Sequence, residues 1–182
     1  MAEGFDGQAL ISELPEFLET GASVLELGMG AGKDLEILAK QYSVTGSDYS
    51  PVFLNRYRAS NPNADLLRLD ATTIDTDRRF DAIYSNKVLH HLSDDELAAS
   101  LERQARVLAA CGIVMHSFWY GDSFEEYDDM PVYHRNEVIL GRVFSGHFDV
   151  VRMATYAEME DGDSIYVIAR ASKGGRKAWP NG

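Results

Sequence analysis

The feature that most constrains the fold is a glycine-rich turn at Gly28, Gly30 and Gly32. It separates a short apolar run, Ser23 to Leu27, from a stretch with helical periodicity, Ala31 to Lys40. Glycine reaches backbone conformations that other residues avoid, and it lets the main chain lie close against a ligand. The helix after it offers free N–H groups and the positive end of its dipole to an anionic or polar group. A plain strand–helix turn has the same shape, so the meaning of the turn depends on the rest of the chain.

Beyond the turn, strands and helices alternate regularly. Residues 6–20 read as a short helical lead-in broken at Pro15, and Leu35, Leu38 and Ala39 share one face of the helix after the turn. Ser43–Ser47 is a second strand. Ser50 and Pro51 then give a hydroxyl N-cap and a proline at the first helical position, opening a helix to about Ser60. Asp65–Leu69 and Phe80–Tyr84 are further strands. Ser93 and Glu96 form a capping box, with Leu92 and Leu97 at the staple positions of a helix reaching about Ala109. Gly112–Trp119 is a fifth strand and Asn136–Phe144 a short helix. Phe148–Tyr156 and Ser164–Ala171 are the last strands. The Glu158–Asp163 connection is too short for a helical crossover, so these two pair antiparallel. The expectation is an α/β three-layer sandwich: a mostly parallel seven-stranded sheet with one antiparallel strand near the edge, forming one domain over residues 1–171. The tail, residues 172–182, with its glycines and Pro180, is expected to be disordered. Ligands of such sheets bind outside the carboxyl ends of the strands.

Composition narrows the function. The 182 residues carry 17 Lys+Arg against 29 Asp+Glu, a net charge of −12. That balance excludes a nucleic-acid binder, which needs cations to displace counterions from phosphates, and equally an anionic membrane surface. Cys111 is the single cysteine, so neither an intrachain disulfide nor a cysteine metal cage can form. No apolar run approaches a membrane span, and the N-terminus has no signal-peptide pattern. A cytoplasmic protein without a metal site is expected.

The spacing within the turn adds chemistry. The dinucleotide fingerprint G-x-G-x-x-G needs glycine where Lys33 stands, and an acid, Glu26, lies two residues before Gly28. Asp48 falls at the end of the second strand, 20 residues after Gly28, where a carboxylate can accept from both ribose hydroxyls. Val24–Asp34, Gly46–Asp48, Arg68–Ala71, Phe80–Asn86 with Leu89–Leu92, and Val107–Val114 succeed one another in the order of the Rossmann-like (class I) S-adenosylmethionine-dependent methyltransferases, and the chain resembles that family, in its small-molecule type. The family's Leu-x-Pro-Gly-Gly turn departs here, with alanine and Cys111 in place of the proline and first glycine.

The resemblance implies S-adenosylmethionine as cofactor and methyl transfer to a small-molecule acceptor. It implies that Gly28, Gly30 and Gly32 lie along the methionine part and that Glu26 orients the loop and the ammonium. Asp48 would hold the ribose and Tyr49 pack on adenine. Asp70, beside Ala71, would accept from the adenine amino group, and Asn86 would border the methionine end. His91 is the candidate general base, with His90 turned toward the sheet; packing or capping of the next loop is the favoured account of a histidine there. The stretch Tyr120–His134 is expected to be a long acidic loop covering the pocket, with Tyr120 and Tyr133 as acceptor contacts. The Glu158–Asp163 turn should lie at the same end of the sheet, and so many carboxylates would favour cationic or amine-bearing acceptors. Asp48 is expected to contribute little to folding stability, and Cys111 to be a small buried residue. Two rival readings stay open: an NAD or nucleotide-sugar enzyme, and a non-catalytic cofactor- or partner-binding module on the same fold.

Overall fold

The computed structural model describes residues 7–127 and 129–172. Its frame is a seven-stranded sheet in the order β3-β2-β1-β4-β5-β9-β8. The strands are β1 (Ser23–Leu27), β2 (Ser43–Asp48), β3 (Leu66–Arg68), β4 (Phe80–Asn86), β5 (Leu108–Trp119), β8 (Phe148–Tyr156) and β9 (Ser164–Ala171). β9 runs antiparallel to both β5 and β8, so the single reversed strand stands next to the edge, as expected. Strand order reverses at β1, which puts the switch point beside the glycine turn.

The layering comes from the alternation of side chains along buried strands. Leu25, Leu27, Ile83, Val114 and Phe118 face one way, packing under α4 (Asp94–Val107) and α5 (Glu137–Phe144). Val24, Ala82, Tyr84, Ile113 and Met115 face the other way, under α1 (Gln8–Ile11) and α2 (Lys33–Leu38). Met29, Leu35 and Leu54 join α2 to α3 (Pro51–Ser60). The capping box is complete: Ser93 accepts from the Glu96 amide, while Glu96 accepts from the Ser93 amide and hydroxyl.

Several local expectations change. α2 is shorter than the periodic stretch, and Ala39 is exposed; Asp34 is buried on that helix instead. Ser50 occupies the N-cap of α3 in an extended conformation, but its side chain makes no capping bond. β5 begins four residues before Gly112. Pairing with β4 jumps from Phe80↔Leu108 to Ala82↔Ile113, so the intervening residues bulge, with Cys111 exposed at φ +65°. Its small, apolar side chain points to burial, but the geometry of the bulge puts it outside.

The largest change is Tyr120–His134. It is a β-hairpin, β6 (Phe124–Tyr127) and β7 (Met130–Tyr133), rather than a loop. Asp129 takes the left-handed conformation at its tip, φ +61°, which Asp tolerates in tight hairpin turns. The expected disordered tail lies outside the described residues apart from Ser172, whose amide donates to the His147 carbonyl.

Candidate functional site

The carboxyl ends of β1, β2 and β4 converge on the glycine turn. Gly28, Gly30 and Gly32 all have positive φ (+69°, +51° and +86°). A Cβ on Gly28 would run into the Val88 side chain, whereas one on Gly30 would meet open space. Gly30 therefore serves the turn's conformation and leaves room above the main chain for a ligand.

Three acids surround this turn. Asp48, at the end of β2, is tied into the backbone: Oδ2 accepts from the Gly30 amide at 2.9 Å and Oδ1 from the Ser50 amide at 2.8 Å. Each oxygen keeps a lone pair for a hydroxyl donor. Glu26, on β1, is only 4% exposed, and its Oε2 has no hydrogen-bond partner among the described residues. Burial pushes its pKa well up, and the nearby charges of Asp34 and Asp48 push it further. Asp34, on α2, is 8% exposed and accepts from the Gly7 amide, the Tyr84 hydroxyl and Asn86 Nδ2.

The other sequence-derived positions scatter in their environments. Tyr49 is 66% exposed at the end of β2, with the Arg68 guanidinium 5.6 Å from its ring centre. Asp70 is exposed and accepts from the Thr72 amide; its neighbour Ala71 is partly buried, its carbonyl accepting from the Ser100 hydroxyl. Asn86 donates to Asp34 and accepts from the Ser117 hydroxyl.

The histidine pair is wired into the protein. His91 Nδ1 lies 2.7 Å from the Pro131 carbonyl of β7. A carbonyl only accepts, so Nδ1 carries the proton and Nε2 is the lone pair of neutral His91. That lone pair meets His90 Nε2 at 3.0 Å and accepts its proton-bearing nitrogen. His90 is buried, as the alternation implied, with its Nδ1 unpartnered among the described residues. Burial, aided by His91, Lys87, Arg135 and His134, drops its pKa to about 3. His91 thus fastens the hairpin to the turn after β4, and both of its ring nitrogens are engaged.

Tyr120 and Tyr133 are engaged by neighbouring side chains. The Tyr120 hydroxyl donates to Glu137, and the Tyr133 ring packs against Phe124 and the Arg135 guanidinium. A concavity lies between α1, the end of β4 and the end of β8. Its volume is about 440 Å³, lined by Gln8, Ala9, Leu10, Ser12, Asn86, Tyr156, Ala157 and Glu158.

Two residues absent from the sequence-derived set organise this end of the sheet. Lys87, at φ +53°, places Nζ 2.5 Å from Glu158 and 3.3 Å from the Trp119 ring centre. Its pKa is lowered by burial, against the pull of Glu158. Arg135, 1% exposed, donates to the Leu92 carbonyl and to Asp94, bracing the turn that carries the histidines. Lys87 stands one residue past Asn86, between the two parts of the fourth matched segment; nothing in the sequence marks Arg135. The Glu158–Asp163 turn does sit beside the hairpin stem, with the Tyr120 amide donating to the Asp163 carbonyl. Its carboxylates are partly committed, Glu158 to Lys87 and Asp163 to backbone amides. Burial works against the Asp163 charge, but the amides of Glu160, Glu158 and Met159 outweigh it and hold its pKa near 2.

The residues present fit S-adenosylmethionine. Glu26 Oε2 is a buried acceptor in want of a donor, which an ammonium group satisfies directly or through water. Space lies open above Gly30, Asp48 keeps lone pairs for two hydroxyls, and an exposed aromatic ring comes directly after it.

Comparison with known proteins agrees with this geometry. Residues 24–112 match the family model of a methyltransferase domain. The chain is 31% identical over 151 residues to a phosphoethanolamine N-methyltransferase of Triticum aestivum, covering 76% of this chain and 29% of that protein. It is 33% identical over 108 residues to a trans-aconitate 2-methyltransferase of Methylobacterium radiotolerans, covering 58% and 40%. The chain thus spans less than half the length of these curated relatives. Among solved structures, the 1,6-didemethyltoxoflavin-N1-methyltransferase of Burkholderia thailandensis, with bound 1,6-didemethyltoxoflavin and S-adenosylhomocysteine, shares the fold. Its TM-score is 0.77 at 20% identity, over 92% of this chain and 77% of that one.

Proposed function

The chain carries a methyltransferase domain on the class I, S-adenosylmethionine-dependent methyltransferase fold, and from that premise we propose that it transfers a methyl group to a small, amine-bearing or cationic acceptor. One observation carries the reading: the buried, unpartnered Glu26 carboxylate oxygen at the foot of a glycine turn whose amide is bound to Asp48. S-adenosylmethionine, when bound, supplies an electrophilic methyl group on a sulfonium. The chain's own work is then alignment and exclusion of water, because an in-line displacement gains most from holding the nucleophile in place. In this reading Gly28, Gly30 and Gly32 lie along the methionine part. Glu26 holds the ammonium, Asp48 the ribose hydroxyls, Tyr49 and Asp70 the adenine side, and Asn86 the methionine end.

The acceptor is assigned to the cavity between α1 and the ends of β4 and β8, rather than to Tyr120 and Tyr133. Glu158 lines that cavity, and the exposed carboxylates of Asp122, Glu125, Glu126, Glu160 and Asp161 supply a negative field around this end of the sheet. Such a field favours cationic acceptors at low salt. Only the free amine has the lone pair that attacks, so an acceptor drawn in as its ammonium first releases its proton to water; once free it needs no further base, and the engaged nitrogens of His91 accord with that. As for compartment, Cys111 as the single cysteine suits a reducing cytoplasm.

Calorimetry with S-adenosylmethionine, S-adenosylhomocysteine and NAD tests the cofactor, and mass-spectrometric methyl transfer onto matched panels of amines and carboxylates tests the acceptor class. The reading expects both sulfur compounds to bind, NAD not to bind, and product among the amines. Saturable NAD binding without a response to either sulfur compound sinks it, and product confined to anionic acceptors removes the amine assignment.

A further inference from the structure

Three donors, one from the start of α1 and two from β4, meet at the Asp34 carboxylate. Oδ1 accepts from the Gly7 amide at 2.7 Å, and Oδ2 from the Tyr84 hydroxyl at 2.8 Å and from Asn86 Nδ2 at 3.1 Å. Asp34 is the second residue of α2, so its carboxylate stands directly after the glycine turn. Gly7 precedes the first residue of α1 at φ −79°, a conformation open to any residue. What demands glycine there is space, since a Cβ would overlap both the Tyr84 hydroxyl and the Asp34 carboxylate.

α1 has four residues, too few to persist without outside anchors. Its far end is anchored by Leu10, Ile11 and, just beyond, Leu14, which are buried in the core against the sheet. Its near end is anchored by Gly7 on Asp34. Gln8, Ala9, Leu10 and Ser12 form one wall of the 440 Å³ cavity and Asn86 part of the opposite wall. One carboxylate therefore fixes both walls, and fixes them to the start of the helix that succeeds the cofactor turn.

We infer that Asp34 is a positioning residue that latches the start of α1 beside the glycine turn, so that cofactor and its product exchange only when the Gly7–Asp34 bond opens. The inference rests on the methyltransferase reading for its ligand, and on this geometry alone for the latch. Charged acceptors make the stronger hydrogen bonds, and the buried site keeps water from replacing the Gly7 donor. Breaking that bond frees the near end of α1 while Leu10, Ile11 and Leu14 hold the rest, so the variants retain the fold.

The test uses S-adenosylhomocysteine as probe, with its dissociation rate measured by stopped-flow displacement and amide exchange monitored along the chain. Gly7→Ala, which inserts a methyl group into the latch, should speed dissociation about tenfold, the change that ~1.4 kcal/mol makes. It should raise exchange across residues 7–11 and leave α4 unchanged. Asp34→Ala should speed it at least as much, since the Tyr84 hydroxyl and Asn86 Nδ2 lose their acceptor too, and Asp34→Asn, which keeps an oxygen for the Gly7 amide, should fall between it and wild type. Dissociation within twofold of wild type in Gly7→Ala, or exchange raised equally in α4, overturns the latch. Wild-type protein that does not bind S-adenosylhomocysteine overturns the methyltransferase reading instead, and exchange at residues 7–11 still decides whether the latch exists.

Discussion

Asp48 Oδ2 accepts the Gly30 amide hydrogen at 2.9 Å, so the acid proposed to hold the ribose also holds the turn that cradles the rest of the cofactor. Its other oxygen caps the Ser50 amide at the start of α3. One side chain thus couples the end of β2, the glycine turn and the next helix.

That coupling changes what removing Asp48 should do. Asp48→Ala should weaken S-adenosylhomocysteine binding by about 30- to 1,000-fold, as for ~2–4 kcal/mol. It should also lower folding stability by ~1–3 kcal/mol, because two amides lose a charged acceptor. Asp48→Asn, which keeps one oxygen, should recover more stability than affinity. Asp65→Ala is the comparison: Asp65 pairs with Arg78 at 2.6 Å at the opposite end of the sheet, about half exposed. An exposed pair contributes under about 1 kcal/mol, so binding there should not move. Melting temperatures and calorimetry on the three variants decide it; an Asp48→Ala protein that binds as wild type removes the ribose assignment.

His91 separates packing from catalysis. Its Nδ1–H is spent on the Pro131 carbonyl and its lone pair on His90. His91→Ala should therefore loosen the hairpin, costing ~1–2 kcal/mol for the lost bonds, with turnover on a competent acceptor changed less than tenfold. A rate loss of ~10²–10⁴-fold would restore the general base. Amide exchange across residues 124–133 reports the hairpin independently of activity.

The strands and the cofactor turn were legible because their signals are local. β8 and β9 fall on the boundaries that apolar runs and the polar turn between them define. The capping box of α4 is a pattern within four residues. The hairpin escaped because Glu125 and Glu126 break the alternation that marks a strand, and its tip carries acids instead of glycine. Arg135 escaped because a guanidinium reads as surface until its partners, carbonyls at Leu89 and Leu92, are brought over it by the tertiary fold. Asp34 escaped because the residue it serves, Gly7, is 27 positions away. The cavity between α1 and the ends of β4 and β8 joins residues far apart in the chain and has no local sequence signal.

Acid should destabilise the protein through two buried histidines. His116 is held between the Ser85 hydroxyl and Gln104 Oε1, and burial drops its pKa to about 3, as it does for His90. Both folded values lie below the unfolded value near 6.5, so between pH 6.5 and 3 the unfolded chain binds more protons and stability falls as pH falls. From pH 7 to 5 each histidine should cost roughly 2 kcal/mol. Glu26, with its raised pKa, works in the opposite direction, but by at most one proton against two. Urea denaturation at pH 7, 6 and 5 should show the loss; a flat profile contradicts the buried, neutral histidines.

Glu26 sets function against stability. Its folded pKa lies above the unfolded value, so as pH rises between the two the unfolded chain gives up its proton first and the folded state loses stability. Burial and the charges of Asp34 and Asp48 disfavour the ionised form of Glu26, whose Oε2 has no partner among the described residues, an arrangement that a cationic ligand relieves. Glu26→Gln removes the charge while keeping the shape. It should raise the melting temperature of the ligand-free protein, by about 1 kcal/mol or more in stability, within the range of single stabilising changes. That gain should shrink as pH falls toward the range where the unfolded carboxyl titrates, below which both states hold the proton. The same variant should bind S-adenosylhomocysteine about 10- to 100-fold more weakly, since a charge-assisted bond worth ~1.5–3 kcal/mol is lost. A Glu26→Gln protein that is less stable at pH 7.5 would show the carboxylate to be satisfied in the ligand-free state. Unchanged affinity would take the ammonium away from Glu26.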